Sequence, residues 1–183
     1  MADYWPPRIR DHAAQLLGTL PGFAGRVQAN AILPMKAADL PCIRCTLLGR
    51  TMSPDGDATA GEPKFISSLR LGISALINAD AVDALDTSLY QATEDMLDVL
   101  LTSPAWLASF EAITAIEASY HMVDQASSNA ELLMAEARLI ITIRMGEAFE
   151  PVLPDSFQRL HMASNRPGAT SDKPFGADID LPS

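Results

Sequence analysis

The chain is poor in the residues that advertise chemistry. Among its 183 residues are two cysteines, three histidines and two tryptophans. Two cysteines allow at most one bridge, too few for a disulfide scaffold, and the opening stretch MADYWPPRIRDHAA lacks the roughly 7–15-residue apolar core of a signal peptide. A reducing, cytoplasmic setting is therefore expected. No apolar run approaches the roughly 18 residues that a membrane-spanning helix requires. The most informative absence is of positive charge: residues 71–137 contain eleven Asp/Glu and no Lys or Arg. Gripping DNA or anionic lipid depends on cations that neutralise phosphates, so neither activity is expected.

What remains is enough for one folded domain of ordinary size. Hydrophobic residues make up 48% of the chain, which places it among globular proteins. The net charge of −10 is unevenly spread. Residues 1–70 carry eight bases and six acids (+2), residues 71–137 carry −11, and residues 138–183 carry five bases and six acids (−1). The acidic block is either a solvated face or a surface that meets a basic one on another molecule or another copy.

Periodicity sets the order of elements. In PPRIRDHAAQLLGTL (6–20), Ile9, Ala13, Leu16, Leu17 and Leu20 recur every three to four residues, and Pro21-Gly22 ends the helix. Val27, Ala29, Ala31 and Leu33 alternate with Arg26, Gln28, Asn30 and Ile32 as a half-buried strand closed by Pro34. A second strand covers about 42–49. The segment RTMSPDGDATAGEP (50–63) has no period and reads as a long loop. Leu69, Leu71, Ile73, Ala75 and Ile77 mark a third strand, with Ser68, Arg70, Gly72 and Ser74 opposite.

The second helix spans about 81–102, with Val82, Leu85, Leu89, Ala92, Met96 and Leu100 as its inward stripe. Asp80 is its expected cap, Asp83 and Asp86 suit the positive end of the dipole, and Pro104 ends it. Its outer face carries Glu94, Asp95 and Asp98. Two further strands follow: 111–123, with Ala112, Thr114, Ile116, Ala118, Tyr120 and Met122 sharing a face, and 130–145, with Ala137, Leu139, Ile141, Ile143 and Met145. The turn material QASSN between them predicts an antiparallel hairpin. The order α-β-β-β-α-β-β predicts an α+β fold with helices on one face of a mainly antiparallel sheet. A single domain over 1–153 is expected, followed by an extended tail over 154–183.

The one local motif is Cys42-Ile43-Arg44-Cys45. On a strand, residues three apart point to opposite faces, so the two thiols cannot meet. A redox pair would also want a helix N-terminus to lower one thiol pKa, and none begins here. Zinc would need two more ligands, yet His12, His121 and His161 stand in separate elements. A phosphate loop, a G-x-S-x-G elbow and an H-E-x-x-H helix are all absent. Glu117, Ser119 and His121 share a strand face, which reads as a polar outer face rather than a triad. Carboxylates on an outward helix face are solvated, which argues against acid–base catalysis or Mg²⁺ binding there. No enzyme, cofactor or metal site is expected.

The segments NAILPMKAADLPCIRCTLL, SSLRLGISALI, DALDTSLYQATEDMLDVLLTSP and AEARLIITIRM, in that order after a short N-terminal helix, resemble the tail terminator family of long-tailed bacteriophages, typified by minor tail protein U. The resemblance covers about residues 6–147. It implies a small α+β subunit without catalytic residues, assembled in the host cytoplasm and located at the head-proximal end of the virion tail. Such subunits form a hexameric ring on the tail-tube protein, stop its polymerisation and present a surface to the head–tail connector protein. The expected contact residues are Arg50, Asp55, Asp57 and Glu62 in the loop, Lys64 beside it, and Glu94, Asp95 and Asp98 as an acidic contact or lumen face. The rival readings are another head–tail joining or tail completion protein, and, in a different class, a cytoplasmic α+β ligand-binding module or small enzyme.

Overall fold

The computed structural model describes residues 6–29, 39–56, 63–79, 82–123, 133–149, 159–164 and 175–180. It divides the chain into two compact units, Met1–Phe149 and Glu150–Ser183. In the first, a five-stranded sheet has the order β1-β2-β3-β5-β4, built from β1 (Val27–Ala29), β2 (Cys42–Pro54), β3 (Lys64–Ala79), β4 (Ala112–Val123) and β5 (Leu133–Ala148). Only β1 runs parallel to its neighbour; the other pairings are antiparallel. The helices α1 (Pro6–Leu17), α2 (Val82–Leu101) and α3 (Pro104–Leu107) complete the unit, which is the α+β class expected from the pattern.

One sheet face is buried because alternate residues of the central strands are apolar. Ile43 and Cys45 of β2, Leu69, Leu71, Ile73, Ala75 and Ile77 of β3, and Ala137, Leu139, Ile141, Ile143 and Met145 of β5 share one core. Ile9, Ala13 and Leu17 of α1 and Leu85, Leu89, Ala92, Met96 and Leu100 of α2 close over it, each set at helical spacing. Proline at the start of α1 costs no hydrogen bond, because the first N–H groups of a helix lack internal partners. Thr93, the one polar residue buried along α2, satisfies its hydroxyl by donating to the Leu89 carbonyl at 2.9 Å. The expected cap Asp80 lies outside the described residues.

Three expectations require correction. First, residues 50–54 are not loop: β2 continues to Pro54, with Arg50 opposite Leu69 and Pro54 opposite Phe65. The β3 partner supplies regularity that RTMSP lacks on its own. Second, Pro104 does more than end α2. Ser103 caps α3 by accepting the Trp106 N–H at 3.4 Å, and Pro104 begins that short helix. Trp106 is thereby driven into the core, where its indole N–H reaches the Ile9 carbonyl at 3.2 Å and its ring meets Phe110 edge-on at 4.9 Å. Third, a register shift between Ile113 and Ala115 splits the apolar set of β4. Ile113 pairs with Ile143 and Ile116 with Ile141, on the helix side, whereas Ala112 pairs with Arg144 on the other.

The second unit contains a two-stranded antiparallel ribbon, β6 (Arg159–Ser164) with β7 (Phe175–Asp180). It lies within the stretch that the sequence pattern reads as an extended tail.

Candidate functional site

The cysteines sit as strand parity requires. Cys45 joins the main core, while Cys42 packs with Leu40, Leu76 and Met134 in a small cluster on the opposite face. Burial pushes the Cys45 thiol up to about 12 from 9.0. Burial also raises that of Cys42, against a partly opposing effect of Arg44. A thiol held protonated is a poor nucleophile and a poor metal ligand. Among the described residues, no three His, Cys, Asp or Glu side chains gather as a metal group would require. No described helix is long and apolar enough to cross a membrane. The imidazole of His121 lies 3.2 Å from the Ser119 hydroxyl on the exposed strand β4.

A groove of about 480 Å³ opens between α1 and β1, lined by Asp11, Ala14, Gln15, Gly18, Gly25, Val27 and Ala29. Its single ionisable group, Asp11, is already held by Arg10 at 2.6 Å. Converging polar groups of the kind that orient a small molecule are not what this lining offers.

The sheet faces are more informative. Each helix is about 10 Å across and neighbouring strands lie about 4.8 Å apart, so a helix covers roughly two strands. Two long helices therefore leave one strand of five uncovered. α1 packs on β1 and β2, and α2 packs on β3 and β5. The strand left over is β4, whose helix-side residues Ile116, Ala118, Tyr120 and Met122 pair with the buried Ile141, Leu139, Ala137 and Ala135 yet are themselves exposed. Met122 is 61% exposed. Beside this strip, Tyr90 of α2 is 52% exposed and its ring stands 4.8 Å from that of Tyr120. Leu101 continues the apolar line along α2. Of the eight large apolar residues exposed among those described, five (Tyr90, Leu101, Ile116, Tyr120 and Met122) belong to this flank.

The expected contact residues divide into two groups. Glu94 and Asp98 are exposed on α2, as are Asp83 and Asp86, and none forms an ion pair among the described residues. Glu94 stands on the helix side bearing Tyr90 and Leu101. Asp95 is only partly exposed and accepts a hydrogen bond from Gln91 at 2.7 Å. Arg50, by contrast, is a strand residue whose guanidinium donates to the Ser67 hydroxyl at 2.7 Å and pairs with Glu147 of β5. Asp55 follows β2 in a turn, where its backbone N–H meets the Lys64 carbonyl at 2.8 Å, and Lys64 opens β3. Asp57 and Glu62 lie outside the described residues.

The face without helices has its own character. Strand register sets Arg44, Ser74, Arg138 and Ser119 in one cross-strand row, Thr46, Gly72, Ile140 and Glu117 in the next, and Gly49, Arg70, Thr142 and Ala115 in a third. Arg138 pairs with Glu136 at 3.0 Å and Arg144 with Glu111 at 3.5 Å; Arg138, Arg144 and Glu111 are at the surface, whereas the Glu136 side chain is mostly buried. Arg70 is exposed and forms no ion pair among the described residues. At the β2 irregularity between Leu47 and Gly49, Leu48 turns onto this face and lies across Gly72. A Cβ at position 72 would come within 2.9 Å of the Leu48 side chain, so a larger residue there would require Leu48 to move.

No protein-family model and no curated protein matches the chain. Among solved structures, a chain of the virion of a native gene transfer agent particle is similar at 17% identity, with 74% of this chain and 84% of that one aligned. The TM-score is 0.38, a level that carries no argument about function.

Proposed function

We propose that the chain is a virion structural subunit of the tail-terminator type, which assembles as a ring on the tail tube, ends its growth and offers a surface to the head connector. It acts by recognition between surfaces rather than by catalysis. The observation that carries this reading is the uncovered flank of α2 and β4: exposed Tyr90, Ile116, Tyr120 and Met122, edged by the carboxylate of Glu94, which has no ion pair among the described residues. Apolar patches with a polar rim mark places where another macromolecule sits. The order of sequence segments that resembles tail terminators supports the same reading. So does the acidity of residues 71–137, since carboxylates lining a ring would repel the phosphates of passing DNA.

The test joins light scattering on the purified chain with electron microscopy of tail tubes grown with and without it. Tubes of limited length, each ended by a ring, are expected. A chain that stays monomeric at every concentration and leaves tube length unchanged overturns the reading.

A further inference from the structure

Resting on the ring reading, we infer which surfaces meet: the α2–β4 flank of one copy docks onto the helix-free sheet face of the next. The two surfaces are complementary in charge. The flank carries Asp86, Glu94 and Asp98 from a stretch of 67 residues (71–137) without a single base. The helix-free face carries Lys64, Arg70, Arg138 and Arg144. It also carries the exposed Glu117, which forms no ion pair among the described residues, while its other acids Glu136 and Glu111 are engaged by the surface arginines Arg138 and Arg144. Pairs of that kind are worth at most about 1 kcal/mol, so they re-pair at little cost when a stronger acidic surface arrives. Arg70 stands between them with no partner of its own among the described residues.

The apolar parts complement each other as well. Leu48, 49% exposed, forms a knob on the helix-free face, held up by the absence of a side chain at Gly72 and neighboured by Ile140. On the flank, Ile116, Tyr120 and Met122 of β4 are exposed side by side, and the Tyr90 ring of α2 packs against that of Tyr120. An apolar centre ringed by Arg and carboxylate is the usual composition of a protein interface. The contact is heterologous: each copy uses a different surface toward each neighbour. Repetition of such a contact closes a ring when the rotation permits, whereas a self-complementary patch stops at a dimer.

Crosslinking reads this directly. The native thiols Cys42 and Cys45 are buried, so a short bis-maleimide reports only on introduced cysteines. Full-length Glu94→Cys and Arg70→Cys chains, mixed, should give a 94-to-70 covalent dimer, while each chain alone gives none. Dimers from Glu94→Cys alone, or no product from the mixture, overturn the interface. In a second experiment, Glu94→Arg with Asp98→Arg should weaken self-association about tenfold, and adding Arg70→Glu and Arg144→Glu to the same chain should restore most of it. Weakening without restoration counts against the pairing. A chain that caps tail tubes but yields no 94-to-70 product refutes this interface and leaves the terminator reading standing; the product without tube capping does the reverse.

Discussion

The two faces of the sheet use the same strands for opposite ends. Along β5, Leu139, Ile141 and Ile143 are buried beneath α2, while their immediate neighbours Arg138, Ile140 and Arg144 form the open face. A one-residue step thus separates a position that sets stability from one that is free to set recognition. On the covered face the buried Thr93 satisfies its hydroxyl locally, on the Leu89 carbonyl. The open face mixes Arg, Glu and Thr with Ile140 and the exposed Leu48.

Substitutions can break this contrast. The largest loss is expected for Trp106→Ala, which empties the space of an indole and removes its bond to the Ile9 carbonyl. Chemical denaturation should show about 3–5 kcal/mol. Ile141→Ala and Ile140→Ala then test the two faces one residue apart: about 2–5 kcal/mol for the first, and under about 1 kcal/mol for the second. Equal costs would mean that the open face is covered in solution by something of its own.

The thiols sharpen the comparison. Cys45 is held protonated up to about 12 against an ordinary 9.0, so between those values the unfolded chain releases a proton that the folded chain keeps. Stability must therefore fall as pH rises through that window, and Cys45→Ala should flatten the fall measured by denaturant titration. Below the window the thiol contributes no pH dependence. In the native state at pH 8, Ellman's reagent should find both cysteines slow, and both should react promptly once the chain is unfolded. The smallest effect is expected at Glu94→Gln, which relieves repulsion with Asp98 one helical turn away. It should raise thermal stability by about 0.2–0.5 kcal/mol, while weakening association between copies.

The legible parts of the fold are those whose period is internal to one segment. The stripes of α1 and α2 and the alternation of β3 and β5 needed no knowledge of neighbours, and strand parity alone separated Cys42 from Cys45. What escaped depends on partners distant in sequence. RTMSP becomes strand because β3 lies alongside it, and Arg50 is a cross-strand clamp because Glu147, 97 residues later, comes to meet it. The register shift in β4 follows from pairing with β5, so no pattern within 111–123 reveals it. Ser103-Pro104 did carry a signal, a cap followed by a first-turn proline, but the end of α2 accounts for the same two residues. Of the candidate site, the acidic face of α2 was readable from composition. Tyr90 and the strip on β4 were not, because exposure there follows from counting helices against strands.

The position of β4 also has a consequence for the order in which the protein is made. β3 can pair with β2 as soon as both have left the ribosome, and α2 can begin to settle on them. β4 emerges next, but its one strand neighbour among the described residues, β5, is synthesised after it. Until β5 arrives, IEASYHM has both backbone edges open and carries no lysine or proline to discourage pairing with another nascent chain. Glu117 within the segment and the acidic helix that precedes it then supply repulsion between neighbouring chains. A surface suited to assembly at the end of folding is, at this earlier moment, what keeps the chains apart.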